Sequence, residues 1–183
     1  MHLKRSMDTS LRLASFVPDY PNRTLHPLLL EPEYWRLRLK EQNEVRLFLL
    51  RTPRPDLSTA GCEVQEIRFV AHDGVRLWGL VGRCPLLGNQ QPAALRLVGP
   101  CQLPSINIES VQLGCTEFVV QTPAGRRLED RVLDAVRLCQ VAASFEKVDS
   151  AQVAFGGSKD LDLPDEARIA DRLIECGIAG AHR

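Results

Sequence analysis

The residues in this sequence best placed to do chemistry are Gly156-Gly157-Ser158-Lys159-Asp160. They lie between Ala151 to Phe155, which reads as a buried strand, and a run that reads as a helix beginning near Pro164. A serine at a sharp strand-to-helix corner can present its hydroxyl as a nucleophile for acyl transfer. Such a corner needs small residues beside the serine, because neighbouring side chains crowd one another there. Gly156 meets that need two positions before Ser158; Asp160, two positions after, does not. The bland alternative is a plain strand-to-helix loop in which Ser158 satisfies local backbone N–H groups, as Ser and Asp in turns often do. On the pentapeptide alone both stand open. A serine nucleophile also needs a base, because its hydroxyl reacts weakly at neutral pH.

Other reactive side chains are scattered. Six cysteines at 62, 84, 101, 115, 139 and 176 form no C-x-x-C pair, and several fall inside apolar segments. They read as buried thiols of a chain kept in a reducing, cytoplasmic compartment. The four histidines, at 2, 26, 72 and 182, lack metal-ligand spacing, so no metal or other cofactor is expected. Asp160, Asp162 and Asp165 alternate as in a calcium loop but lack its glycine and terminal glutamate. His72, beside Asp73-Gly74, reads as a turn histidine. Arg126, Arg127 and Arg131 could grip an anion, but read better as a solvated helix start.

The elements that must position these groups are visible in the periodicity. Residues 1–30 hold Pro18, Pro21 and Pro27 and few periodic apolar positions, so they read as an arm. A helix is predicted from Pro32, with Glu33 in its first turn and Trp35 and Leu39 on one face. Thr52-Pro53-Arg54-Pro55-Asp56 breaks the chain. From Glu63 the period becomes two, and the Asp73-Gly74 turn makes an antiparallel hairpin. Strands at Ala94 to Val98 and Glu117 to Gln121 follow, separated by a short helix near Ile106 to Leu113. Leu128 to Phe145 is the clearest helix, and the last one runs from Pro164 to Cys176. Strands alternating with helices after a leading hairpin predict an α/β fold, with a mostly parallel sheet, an opening antiparallel hairpin and flanking helices.

With 183 residues, 44% of them apolar, the chain suits a single core. Its 23 basic and 23 acidic residues cancel, which removes the field that draws a protein to nucleic acid. Its apolar runs are too short to span a membrane, and Asp8, Arg12 and Asp19 interrupt any secretion signal.

Taken in order, four segments resemble one family. Glu31-Pro32-Glu33-Tyr34-Trp35 resembles its N-terminal helix, and Glu66 to Gly79 its opening hairpin. Arg127 to Val136 resembles the helix before its nucleophile strand, and Val148 to Ser158 that strand and its corner. The family is that of the acetyl xylan esterases and cephalosporin C deacetylases among the α/β-hydrolases, and the likeness covers roughly residues 31–160. It implies that Ser158 is the nucleophile position and that the backbone N–H of Lys159 is one oxyanion donor. The family's H-G-Y-type turn falls at Val98-Gly99-Pro100, where only the glycine is kept, and its R-G-x-G loop at Thr122-Pro123-Ala124-Gly125, where the arginine is absent.

The expected organisation is an N-terminal arm and helix over residues 1–60 and a partial, truncated α/β-hydrolase-like domain over 61–183. Hydrolases of this kind place an acid and then a histidine after the serine. The residues after Ser158 offer Asp160, Asp162, Asp165, Glu166, Asp171, Glu175 and the terminal His182. The expectation is therefore a degenerate relative lacking a complete triad and inactive alone; the alternative is an active deacetylase using Ser158. A small ester or carbohydrate ligand, and self-association through an exposed sheet edge, follow as expectations.

Overall fold

Pro32 suits the first turn of a helix because its missing N–H would have no partner there anyway, and helix α1 (Pro32–Glu44) starts on it. In the computed structural model the described residues are 31–88, 90–156 and 165–175. Trp35, Leu39 and Gln42 recur at helical spacing on the inner face of α1, and all three are buried. Strand β1 (Leu49–Pro53) follows, then the hairpin of β2 (Glu63–Val70) and β3 (Arg76–Arg83). Gly74 turns the hairpin at φ +83°, a conformation that suits glycine. Next come β4 (Gln91–Val98), the short helix α2 (Ile108–Gln112), β5 (Thr116–Gln121), helix α3 (Leu128–Ala143), β6 (Val148–Phe155) and helix α4 (Asp165–Glu175).

The strands form one sheet in the order β1-β2-β3-β5-β4-β6. The predicted α/β architecture, with its opening hairpin and flanking helices, is present. Its sheet, however, is mixed rather than mostly parallel. The β1/β2, β2/β3 and β3/β5 pairs are antiparallel, and the β4/β5 and β4/β6 pairs are parallel. Beyond the predicted hairpin, the antiparallel pairs are β3/β5 and β1/β2, the latter from a strand laid where the sequence suggested a break. Pro53 can end it because β1 is an edge strand, where a lost backbone donor is tolerated. At the other edge, β6 has β4 as its single strand neighbour among the described residues. Ser150, Ala151, Gln152 and Ala154 are exposed there, so the strand expected to be buried is half open.

Alternation along the strands builds a main core and a second, smaller one, where the composition suggested a single core. Ile67, Phe69, Leu77, Val81, Phe118 and Val120 point to the face covered by α1, α3 and α4. Val64 and Leu80 point to the other face, where Val111 of α2 meets them. Buried Arg137 of α3 ties the layers together by donating to the carbonyls of Val70 at 3.3 Å and Val45 at 2.6 Å.

At the junction of β3 with β5, Gly79 pairs with Val120. A Cβ on Gly79 would lie 2.8 Å from the Val120 Cα and would also press on the Val119 carbonyl oxygen. Backbone held in a ladder cannot step aside. Gly79→Ala should therefore cost at least about 3 kcal/mol, the upper end of overpacking penalties. Gly82→Ala should cost less, because its new methyl would meet the side chains of Ile106 and Val111, which can turn. Urea denaturation of the two variants beside the parent checks the order; equal losses would contradict it.

Candidate functional site

In an open α/β sheet, ligands gather beyond the carboxyl ends of the strands where the connections diverge. Here that place lies between β4 and β6. The chain leaves β4 through α2 to β5 on one side, and leaves β5 through α3 to β6 on the other. Leu95 pairs with Phe155, and the Gly156 N–H donates to the Leu95 carbonyl at 3.1 Å, so β4 runs on past the end of β6. Gly156 leaves the strand at φ +142°, which side chains rarely adopt. Ser158 and Lys159 lie outside the described residues, as do Asp160, Asp162 and His182.

The loop after β4 lies at the same end of the sheet. The Gly99 N–H donates to Gln102 Oε1 at 3.2 Å, and the Gln102 N–H returns to the Gly99 carbonyl at 3.0 Å. Pro100, between them, has no N–H. The loop is braced from β5, where Gln121 Nε2 donates to the Pro100 and Gln102 carbonyls at 3.0 and 2.9 Å. Half-buried Trp78 on β3 fixes that amide by donating Nε1–H to Gln121 Oε1 at 2.8 Å. Thr122 closes the arrangement, its N–H and Oγ1 both donating to the Val98 carbonyl, at 2.9 and 2.8 Å. The sequence reading missed this brace, which couples residues far apart in the chain.

A charged cluster occupies the same end of the sheet beneath the start of α3. Arg126 donates to both carboxylate oxygens of Asp134, with Nε to Oδ2 at 2.9 Å, and also to Asp73 in the hairpin turn. Arg126 is buried rather than solvated, which corrects its reading as a polar helix start: its side chain is 7% exposed and that of Asp134 1%. An acid within Val132-Leu133-Asp134-Ala135-Val136 was the available signal. Burial pushes the Asp134 carboxyl up to about 6 against the pull of Arg126. His72, beside it, is mostly buried, with Nε2 3.4 Å from Asp130 Oδ1. Its Nδ1 has no hydrogen-bond partner among the described residues, and burial pushes its pKa down, favouring the neutral ring. The hairpin is separated from β6 by β5 and β4, three strand spacings or about 14 Å. His72 therefore does not face the crevice beside β6. No group of three or more His, Cys, Asp or Glu side chains able to hold a metal occurs among the described residues. None of the described helices is long and apolar enough to cross a membrane.

No protein-family model and no curated protein matches the sequence. Solved structures do. The chain has the α/β-hydrolase fold, superposing on esterases of that class over about half their length. Within the class the likeness reaches the acetyl xylan esterases. The enzyme from a Paenibacillus species matches with a TM-score of 0.63 at 16% identity, over 76% of this chain and 54% of its own. Acetyl xylan esterase 1 from a Thermoanaerobacterium species matches with a TM-score of 0.56 at 17% identity, over 67% of this chain and 48% of its own. The fold expected from the sequence resemblance is the fold found.

Removing the guanidinium from this cluster should be costly. Arg126→Ala leaves a buried carboxylate unpaired and should lose about 3–5 kcal/mol at pH 7. Without Arg126 the Asp134 carboxyl rises further above about 6, so between pH 7 and 5 the folded variant takes up a proton that the unfolded chain still lacks. Its stability deficit should shrink over that range. Chemical denaturation at both pH values checks this, and Asp134→Asn in the same background should recover part of the loss at pH 7.

Proposed function

We propose that this chain is a non-catalytic relative of the carbohydrate acetyl esterases, which shares part of their sheet and has a weakened cradle for a developing negative charge. The observation that carries the proposal is the loop after β4. An oxyanion hole of this fold takes one N–H from the residue after the nucleophile and a second from this loop. Here the Gly99 N–H is held by Gln102, Pro100 offers none and the Gln102 N–H is turned back on the loop, so Cys101 is the one residue of this turn whose N–H is not engaged among the described residues. Loss of one such donor costs about 10²- to 10³-fold in rate. The crevice between β4 and β6 would then bind a small ester or carbohydrate without turning it over. The open edge of β6 would pair with a second copy of the chain.

The second reading is a serine esterase with Ser158 as nucleophile and the Lys159 N–H as oxyanion donor. The likeness of the fold to acetyl xylan esterases and the glycine-only exit from β6 favour it.

Hydrolysis of a chromogenic acetate ester by the parent chain and by Ser158→Ala separates the two. Equal rates are expected. A serine-dependent rate clearly above that of the variant would overturn the non-catalytic proposal.

A further inference from the structure

Two thiols face each other at the open end of the hairpin, away from the crevice. The register of β2 and β3 pairs Glu63 with Arg83, so one residue further out Cys62 stands opposite Cys84. The Cys62 N–H and carbonyl both bond to Thr59 on the opposite side, at 3.0 and 2.9 Å, so they are turned away from β3. The Cys84 carbonyl accepts from Gln91 Nε2 at 3.2 Å. A pair whose backbone groups do not bond each other across two antiparallel strands has its Cα atoms about 4.5 Å apart. That lies within the ~4.4–6.8 Å a disulfide spans. Both side chains point to the same face, into the small core with Val64, Leu80 and Val111. Both are free thiols. Burial pushes the Cys62 thiol up, and Cys84 is near enough to push it further.

We propose that Cys62 and Cys84 are a modification site, closing to a reversible cross-strand disulfide when the folded chain meets a small peroxide. Cys84 is 5% exposed and Cys62 fully buried, so Cys84 reacts first. Its thiolate attacks one oxygen of hydrogen peroxide, the O–O bond breaks, and the departing hydroxide leaves as water after taking a proton. The Cys62 thiolate then attacks the resulting sulfenic sulfur, forming the S–S bond and expelling a second hydroxide, again protonated to water. Two thiols and one peroxide give one disulfide and two waters. Reduction by a dithiol reverses the step. The bond fastens the start of β2 to the end of β3, at the end of the sheet where β3 meets the start of β5. It does not depend on what the crevice binds.

The test is peptide mapping of the folded chain after hydrogen peroxide, with remaining thiols alkylated in denaturant and digestion run without reductant. The expected product is a linked pair of peptides carrying Cys62 and Cys84, two hydrogens lighter than their sum and lost on reduction. Cys139, buried in the main core, should be recovered alkylated. The link should persist in Cys101→Ser, which removes the exposed thiol, and vanish in Cys84→Ala. If Cys84→Ala does not fold, the maps of the parent and Cys101→Ser decide. Recovery of Cys62 and Cys84 as alkylated thiols, over-oxidation of Cys84 without a link, or links confined to Cys101 would overturn the proposal.

Discussion

Antiparallel and parallel strands make hydrogen bonds of different slant, and a sheet holding both needs a place where the two patterns meet. Here that place is β5, which pairs parallel with β4 on one side and antiparallel with β3 on the other, where Val120 faces Gly79. Only a residue without a side chain lets the two backbones come so close. What lies on either side depends on it. The hairpin and β1 hang from β3, while β4 and β6 extend from β5. Trp78, next to Gly79, points to the opposite face and fixes Gln121, which in turn holds the loop after β4. The loop after β4 is thus braced from the strand that this close contact positions.

The same loop shows how backbone groups at this end of the sheet are taken up by internal bonds. Backbone N–H groups that stabilise a transition-state charge must be free of internal partners, aimed at a point where charge appears only briefly. Satisfying those groups inside the protein relieves an unmade hydrogen bond. In Gly99-Pro100-Cys101-Gln102 the Gln102 side chain and a tight turn do this for the N–H groups of Gly99 and Gln102, while Gln121 holds the carbonyls of Pro100 and Gln102. The loop gains order from these bonds.

Much of this was legible in the sequence because it is local. Pro32 with Glu33, Asp73-Gly74, and the apolar spacing of Val132, Ala135, Val136 and Cys139 each encode an element by short-range rules, and the elements stand where they predict. The breakdown came where partners are distant. Pro53 reads as a break until its edge position is known, since only the neighbouring strand shows that no N–H is needed there. Arg126 reads as a solvated helix start until Asp73 and Asp134 are placed on either side of it. The brace from Trp78 to Gln121 joins residues 43 apart and has no periodic signature. At the site itself, Gly99-Pro100 could be read from sequence as a poor oxyanion turn, but the engagement of the Gly99 N–H by Gln102 could not.

The link from Arg126 to Asp73 joins residues 53 apart in sequence. Closing a chain segment of that length is entropically costly, and the closure must come before the contact rewards it. The hairpin turn can form early on local signals, yet Asp73 must keep its hydration shell until β5 has docked and the start of α3 has come to rest above it. Local turns need no such closure, whereas this ion pair shares its long-range cost with the pairing of β3 and β5.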